Sequence, residues 1–227
     1  MSDLISILKP RKALNKAFLK VKPNRTEIEH FKVHLTQLLD RINDAESEEF
    51  HKNLLIDFLK KTYYEPNYFI NTKGRNDLVI HNGNKATSTV GVIIEAKKPT
   101  NKGEMLRAIA PEESQEQMLS KINVKAFQEL VLYYLRERIT QKNIEIKYLI
   151  ATNINEWFIF DATIFDRLFA QNTTLVNQFN DFESGRLAET KTDFFYKQIA
   201  EPFIANLTHD MAFSNNEPLF RSSSFFR

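Results

Sequence analysis

Residues 74–97 read GRNDLVIHNGNKATSTVGVIIEAK, and the fold turns on them. Asp77-Leu78-Val79-Ile80 is an extended piece, Asn82-Gly83-Asn84 is a turn signal, and Val90 to Lys97 is the strongest strand pattern in the chain. Lys98-Pro99 ends that strand, because proline cannot continue a central ladder. Side chains alternate across a strand, so Glu95 and Lys97 share one face while Ile94 and Ala96 take the other. If the two strands pair through the Asn82-Gly83 region, Asp77 approaches Glu95 across the sheet. Two carboxylates and an ammonium then meet at one end of an apolar sheet.

The segments on either side change period. Upstream, Pro10 and Pro23 bracket a short helix, and Asn24 precedes a second over Thr26 to Ile42, with Ile28, Phe31, Leu35, Leu38, Leu39 and Ile42 at helical spacing. Ser47 can cap a third, EEFHKNLLIDFLKKTYY, which buries Phe50, Leu54, Leu55, Phe58 and Leu59. Tyr68-Phe69-Ile70 is a short extended piece. Downstream, residues 100 to 122 form a polar, partly helical connection, and a long helix is expected over Val124 to Gln141. Strands follow at Glu145 to Thr152 and Glu156 to Phe160, with helices over Ala162 to Gln178 and Thr190 to Leu207. This order predicts an α/β core, a mixed central sheet flanked by helices, with helical N- and C-terminal additions. We divide the chain into an N-terminal helical extension (1–45), a core (46–165) and a C-terminal helical segment (166–227).

Bulk properties bound the function. The chain has 227 residues, 42% hydrophobic and 26% charged, as in an ordinary globular protein. Nineteen Phe and seven Tyr against five Gly predict a well-filled core. The lack of Cys excludes disulfides and thiolate metal sites and fits a cytoplasmic setting. No apolar run reaches the length of a membrane helix, and the N-terminus has the wrong order of apolar and basic residues for a signal peptide. At a net charge of +2, any field for nucleic acid must come from local arrangement.

The trio Asp77, Glu95 and Lys97 suits phosphodiester hydrolysis. Mg²⁺ takes one or two carboxylates plus waters and substrate phosphate, so Asp77 and Glu95 are its expected ligands, with Mn²⁺ as a substitute. A bound metal stabilises charge on the scissile phosphate and acidifies a coordinated water. Lys97 would orient or deprotonate that water, with its pKa lowered by burial near the metal, or neutralise charge in the transition state. Around the trio, Lys73, Arg75, Lys98 and Lys102, followed by Arg107, Lys121 and Lys125, form a basic rim able to neutralise phosphates of double-stranded DNA. The histidines are too scattered for a zinc site and are read as structural or exposed, and Trp157 is expected in the core beside Phe158 and Phe160.

Asp77, seventeen intervening residues and then Glu95-Ala96-Lys97 resemble the PD-(D/E)xK nuclease motif, with Asn76 in place of the usual proline. The succession EEFHKNLLIDFLKKTYY, YFINTKGRNDLVI, VGVIIEAKKP, AFQELVLYYLRER and LIATNINEWFIFD, over residues 25 to 165, resembles the N-terminal endonuclease domain of type IIG restriction-modification enzymes. That resemblance implies a restriction-endonuclease-like core and a Mg²⁺-dependent deoxyribonuclease. It also implies a further acidic residue from a core helix, here Glu48 or Glu49, and a helical glutamine near the site, here Gln128. Downstream methyltransferase and target-recognition regions are expected in the full-length protein, because no methyltransferase motif occurs in these residues, and transient homodimerisation on DNA would allow both strands to be cut. The alternatives are the nuclease domain of a type I-like restriction motor subunit and a non-catalytic DNA-binding or assembly module on the same fold.

Overall fold

A computed structural model describes residues 20–73, 76–108, 113–207 and 221–222. Most of the expected helix between Pro10 and Pro23, up to residue 19, lies outside these residues, as does Arg75.

Helix α1 (Arg25–Asp40) starts at Asn24, whose side chain accepts from the Glu27 N–H while the Glu27 carboxylate returns to the Asn24 N–H. Helix α2 (Glu48–Leu59) starts at Ser47, which caps the Phe50 N–H, and it widens into a π-type segment over Lys60–Tyr64. Three antiparallel strands follow: β1 (Ile70–Lys73), β2 (Asn76–His81) and β3 (Val90–Ala96). Helices α3 (Gln115–Ile122) and α4 (Lys125–Leu135, continued to Thr140) lead to β4 (Tyr148–Thr152), which lies parallel to β3. A parallel pair needs such a crossover. Strand β5 (Trp157–Asp161) turns back antiparallel, and β6 (Arg221–Ser222) is a two-residue pairing on its outer edge, so the sheet runs in order β1 to β6.

The rest is helical: α5 (Ala162–Phe165, continued to Ala170), α6 (Thr173–Glu183), α7 (Thr192–Phe194, continued to Ala200) and α8 (Glu201–Ala205). The expected helix over 162–178 is broken because Asn172 leaves the helical path and caps Leu175. The expected strand from Glu145 begins three residues later, where pairing with Val92 starts at Tyr148.

Strand alternation sorts the core into two layers. Leu78, Ile80, Ile94 and Ala96 pack toward α1 and α2 with Leu38, Leu55 and Phe58. Val79, Ile93, Leu149, Ala151, Phe158 and Phe160 pack toward α4 and the C-terminal helices. Trp157 therefore does not sit beside Phe158 and Phe160 as expected. It falls on the α2 side and donates its indole N–H to the Ile154 carbonyl at 2.8 Å.

Phe127 of α4 meets Phe160, Phe165 and Phe169 edge-on, with centroids 5.2, 5.4 and 6.1 Å away. Truncation there opens a cavity that the sheet and two helices cannot close together. Phe127→Ala should lose about 3–5 kcal/mol of unfolding free energy. A urea midpoint that does not move would show that this layer is not the core.

Candidate active site

Pairing between β2 and β3 sets the site's frame. Leu78 lies opposite Ile94 in antiparallel register, the last pair of this ladder, and positions 77 and 95 adjoin that pair along their strands. Position 95 shares the parity of Ile93, so Glu95 belongs to the α4 side of the sheet. The Asp77 side chain itself lies outside the described residues.

Lys97 follows the last residue of β3, and its N–H donates to the Thr152 carbonyl at 2.8 Å, extending the β3–β4 ladder past the helix-facing core. Its ammonium is buried, 4% exposed, and sits between two carboxylates: Glu95 Oε1 at 2.7 Å and Glu129 Oε2 at 2.6 Å. Glu95 is 1% exposed and Glu129 7%. Burial alone pushes the Lys97 ammonium down, but Glu95 and Glu129 outweigh it and hold the group well above the ordinary lysine range. In these surroundings the two carboxylates hold the side chain as a fixed cation.

Glu129 is a residue that sequence reasoning missed. Its neighbour Gln128, the expected helical glutamine, is also buried but donates to Asn123 Oδ1 at 3.0 Å and so fastens the start of α4 to the preceding loop. The signal was present, because Glu129 is the one acidic residue in KAFQELVLYYL, an otherwise buried helix that must cover the Glu95/Lys97 face.

Two further carboxylates stand at the mouth. Glu48, at the start of α2, accepts the Lys98 N–H at 3.3 Å, and its other oxygen is 3.9 Å from Lys97. Glu49 turns outward to Lys52 at 2.9 Å, so of the two acids expected from this helix Glu48 is the one beside Lys97. Glu104 Oε2 is also 3.9 Å from Lys97, while its Oε1 takes Lys125 at 3.1 Å. Burial raises the Glu104 carboxyl, but bonds from Asn101 and Lys125 more than offset this and hold it below the usual range. From the C-terminal helices Tyr196 closes the inner wall. Burial, then the charges of Glu129 and Glu95, push its phenol up to about 12.

Four carboxylates thus face two ammonium groups, leaving the pocket with an excess of two formal negative charges. All the donors are hard oxygens, the kind Mg²⁺ takes. Among the described residues no three His, Cys, Asp or Glu side chains are grouped to hold a metal by themselves, so a metal would draw on Asp77 and on waters as well.

The expected basic rim divides. Lys73 is tied to Glu137 at 2.8 Å, Lys121 to Glu113, and Lys125 to Glu104. Lys98, Lys102 and Arg107 have no ion-pair partner among the described residues. Of the histidines, His81 is structural, bonded to the Ser88 carbonyl at 2.6 Å and Asn71 Oδ1 at 2.9 Å. His51, one turn after Glu48, gives its Nδ1 to the Ser47 carbonyl at 2.8 Å. A carbonyl only accepts, so Nδ1 carries a proton, and the buried Nε2 has no hydrogen-bond partner among the described residues.

The model of a family described as a domain of unknown function, DUF7149, matches residues 8–216, and the chain belongs to that family. No curated protein and no solved structure matches the chain. Among the described residues no helix is long and apolar enough to cross a membrane.

Lys97→Met strands two buried carboxylates and should cost about 3–5 kcal/mol of stability. Adding Glu129→Gln to that variant removes one of the stranded charges and should recover part of the loss. Strictly additive costs across this double-mutant cycle, measured by urea denaturation, would contradict the clamp.

Proposed function

We propose that this domain is a metal-dependent DNA endonuclease, with Asp77 and Glu95 as metal ligands and Lys97 as the cation at the scissile phosphate. The observation that carries the reading is the buried Lys97 ammonium, fixed by Glu95 and Glu129 at the end of β3, where position 77 adjoins the Leu78–Ile94 pair. A structural ion pair needs one acid for one base. This site holds an excess of acids around an immobilised cation at a sheet end, which suits a divalent metal and a phosphodiester.

The chemistry supplied by bound Mg²⁺, held through the Asp77 and Glu95 carboxylates, is polarisation of the scissile phosphate and acidification of an attacking water. The chain's own residues do the rest. Lys97 presents positive charge to the phosphate oxygens as negative charge builds on them, and it does so without reorganising, because Glu129 already holds it. Tyr196 and the apolar α4 face keep bulk water from the inner wall. Glu48 and Glu104 line the mouth, and Lys98 stands beside them to meet a flanking phosphate.

The motif order that resembles type IIG restriction-modification enzymes supports a restriction role, with DNA methylation and target recognition supplied by regions outside these residues. Double-stranded DNA, a cytoplasmic setting and transient pairing of two copies on DNA belong to the same reading.

Supercoiled plasmid incubated with Mg²⁺ tests it. The wild-type chain should nick the plasmid, and Asp77→Ala, Glu95→Ala and Lys97→Ala should each slow nicking by about 100-fold or more. DNA binding without metal-dependent nicking in any of the four proteins would replace the nuclease by a binding module on the same fold.

A further inference from the structure

Beside the mouth of the site lies a cleft of about 370 Å³, between the loop that leaves β3 and the turn that joins β4 to β5. Its volume falls in the range of small-ligand sites, roughly 300–1,000 Å³. Lys102, Met105, Leu106 and Arg107 line one side, and Asn153 and Asn155 the other. The Lys97 N–H to Thr152 carbonyl bond joins the two walls at their root, so the cleft opens where the strand carrying Glu95 ends.

The lining is a mixture of three chemistries. Met105 and Leu106 are buried, 1% and 2% exposed, and form an apolar floor. Lys102 and Arg107 are exposed cations without ion-pair partners among the described residues. Asn155 is an exposed carboxamide with no hydrogen-bond partner there. The acid nearby, Glu156, is engaged: its carboxylate accepts from the Asn153 amide at 3.1 Å, and its N–H donates to Asn153 Oδ1 at 2.7 Å.

The turn that carries Asn155 is strained. Ile154 has φ +73, a left-handed conformation that a β-branched residue rarely adopts. It is held there by its own N–H to Thr152 Oγ1 at 3.0 Å, by the Trp157 indole on its carbonyl at 2.8 Å, and by burial of its side chain. Three restraints on one strained residue fix the turn from which the exposed Asn155 lines the cleft.

We propose that this cleft is a subsite for one unpaired nucleotide next to the scissile phosphate. The domain's preferred substrate is then DNA with a single-stranded or splayed position at the cut. The base lies on the Met105/Leu106 floor, Asn155 bonds its edge, and Lys102 and Arg107 take the neighbouring phosphates. A base pair stacked in duplex does not enter a cleft of this size. The proposal rests on the nuclease reading for its placement but is measured by binding, so the two can fail separately.

The test is fluorescence anisotropy of the full chain with a labelled oligothymidine of about 12 nucleotides and with a blunt duplex of the same length, in Ca²⁺ buffer. The single strand should bind more tightly than the duplex. Lys102→Ala/Arg107→Ala should weaken single-strand binding about tenfold and flatten its salt slope by roughly 1.4, the value for two lost phosphate contacts. Asn155→Ala should weaken it less, and Lys85→Ala, on the remote β2–β3 turn, should match wild type. Equal or tighter binding of duplex, or single-strand binding untouched by the double substitution, overturns the subsite. Plasmid nicking that survives such a result leaves the nuclease standing. Cleft-dependent binding without any nicking keeps the subsite and removes the nuclease.

Discussion

An ammonium withdrawn from water costs several kcal/mol unless carboxylates meet it at hydrogen-bonding distance. The Lys97 ammonium is 4% exposed, and Glu95 and Glu129 meet it at 2.7 and 2.6 Å. Much of the fold is arranged around keeping that contact. Alternation along β3 sends Glu95 and Lys97 to the same face as Ile93, so only an element covering that face can supply the second acid. Helix α4 is that element because the parallel β3–β4 pairing requires a crossover there. The aromatic cluster around Phe127 anchors the helix that carries Glu129 two residues later.

The arrangement is overfilled with negative charge. For stability alone, one acid would suffice for Lys97, and replacing a buried ion pair by packed apolar residues is often neutral or stabilising. Retaining Glu95 and Glu129, with Glu48 and Glu104 at the mouth, makes sense for a site that receives a divalent cation and then a phosphate. On the proposed reading a metal would offset the carboxylates, and the immobile lysine would need no rearrangement for a phosphate. The neighbouring cleft adds the positive charge of Lys102 and Arg107 close to an apolar floor.

Legibility in the sequence followed locality. The β2–β3 hairpin, the Ser47 cap, the Asn24 start and the shared face of Glu95 and Lys97 depend on turn chemistry and period, and they stand in the structure as expected. Of the alternatives Glu48 and Glu49, the face of α2 on which each lies puts Glu48 beside Lys97 and Glu49 on Lys52. What depended on tertiary packing was not legible. Glu129 and Gln128 are adjacent on one helix, and only the docking of α4 against β3 decides which of them reaches Lys97. The partition of Trp157 from Phe158 and Phe160 needed the layer order, and the strained Ile154 turn is set by bonds to Thr152 and Trp157 that no propensity encodes. Likewise the fixed charge of Lys97 comes from two carboxylates at once, and only one of them was visible beforehand.

The proposed metal site is lined by oxygens of Asp77 and Glu95 beside the fixed Lys97. Calorimetric titration of the chain with MnCl₂, without DNA, tests this most directly. Saturable binding in the micromolar to millimolar range, abolished in Asp77→Asn and strongly weakened in Glu95→Gln, is the predicted result. No saturable binding by the folded wild-type chain, or binding that persists unchanged in Asp77→Asn, would contradict it.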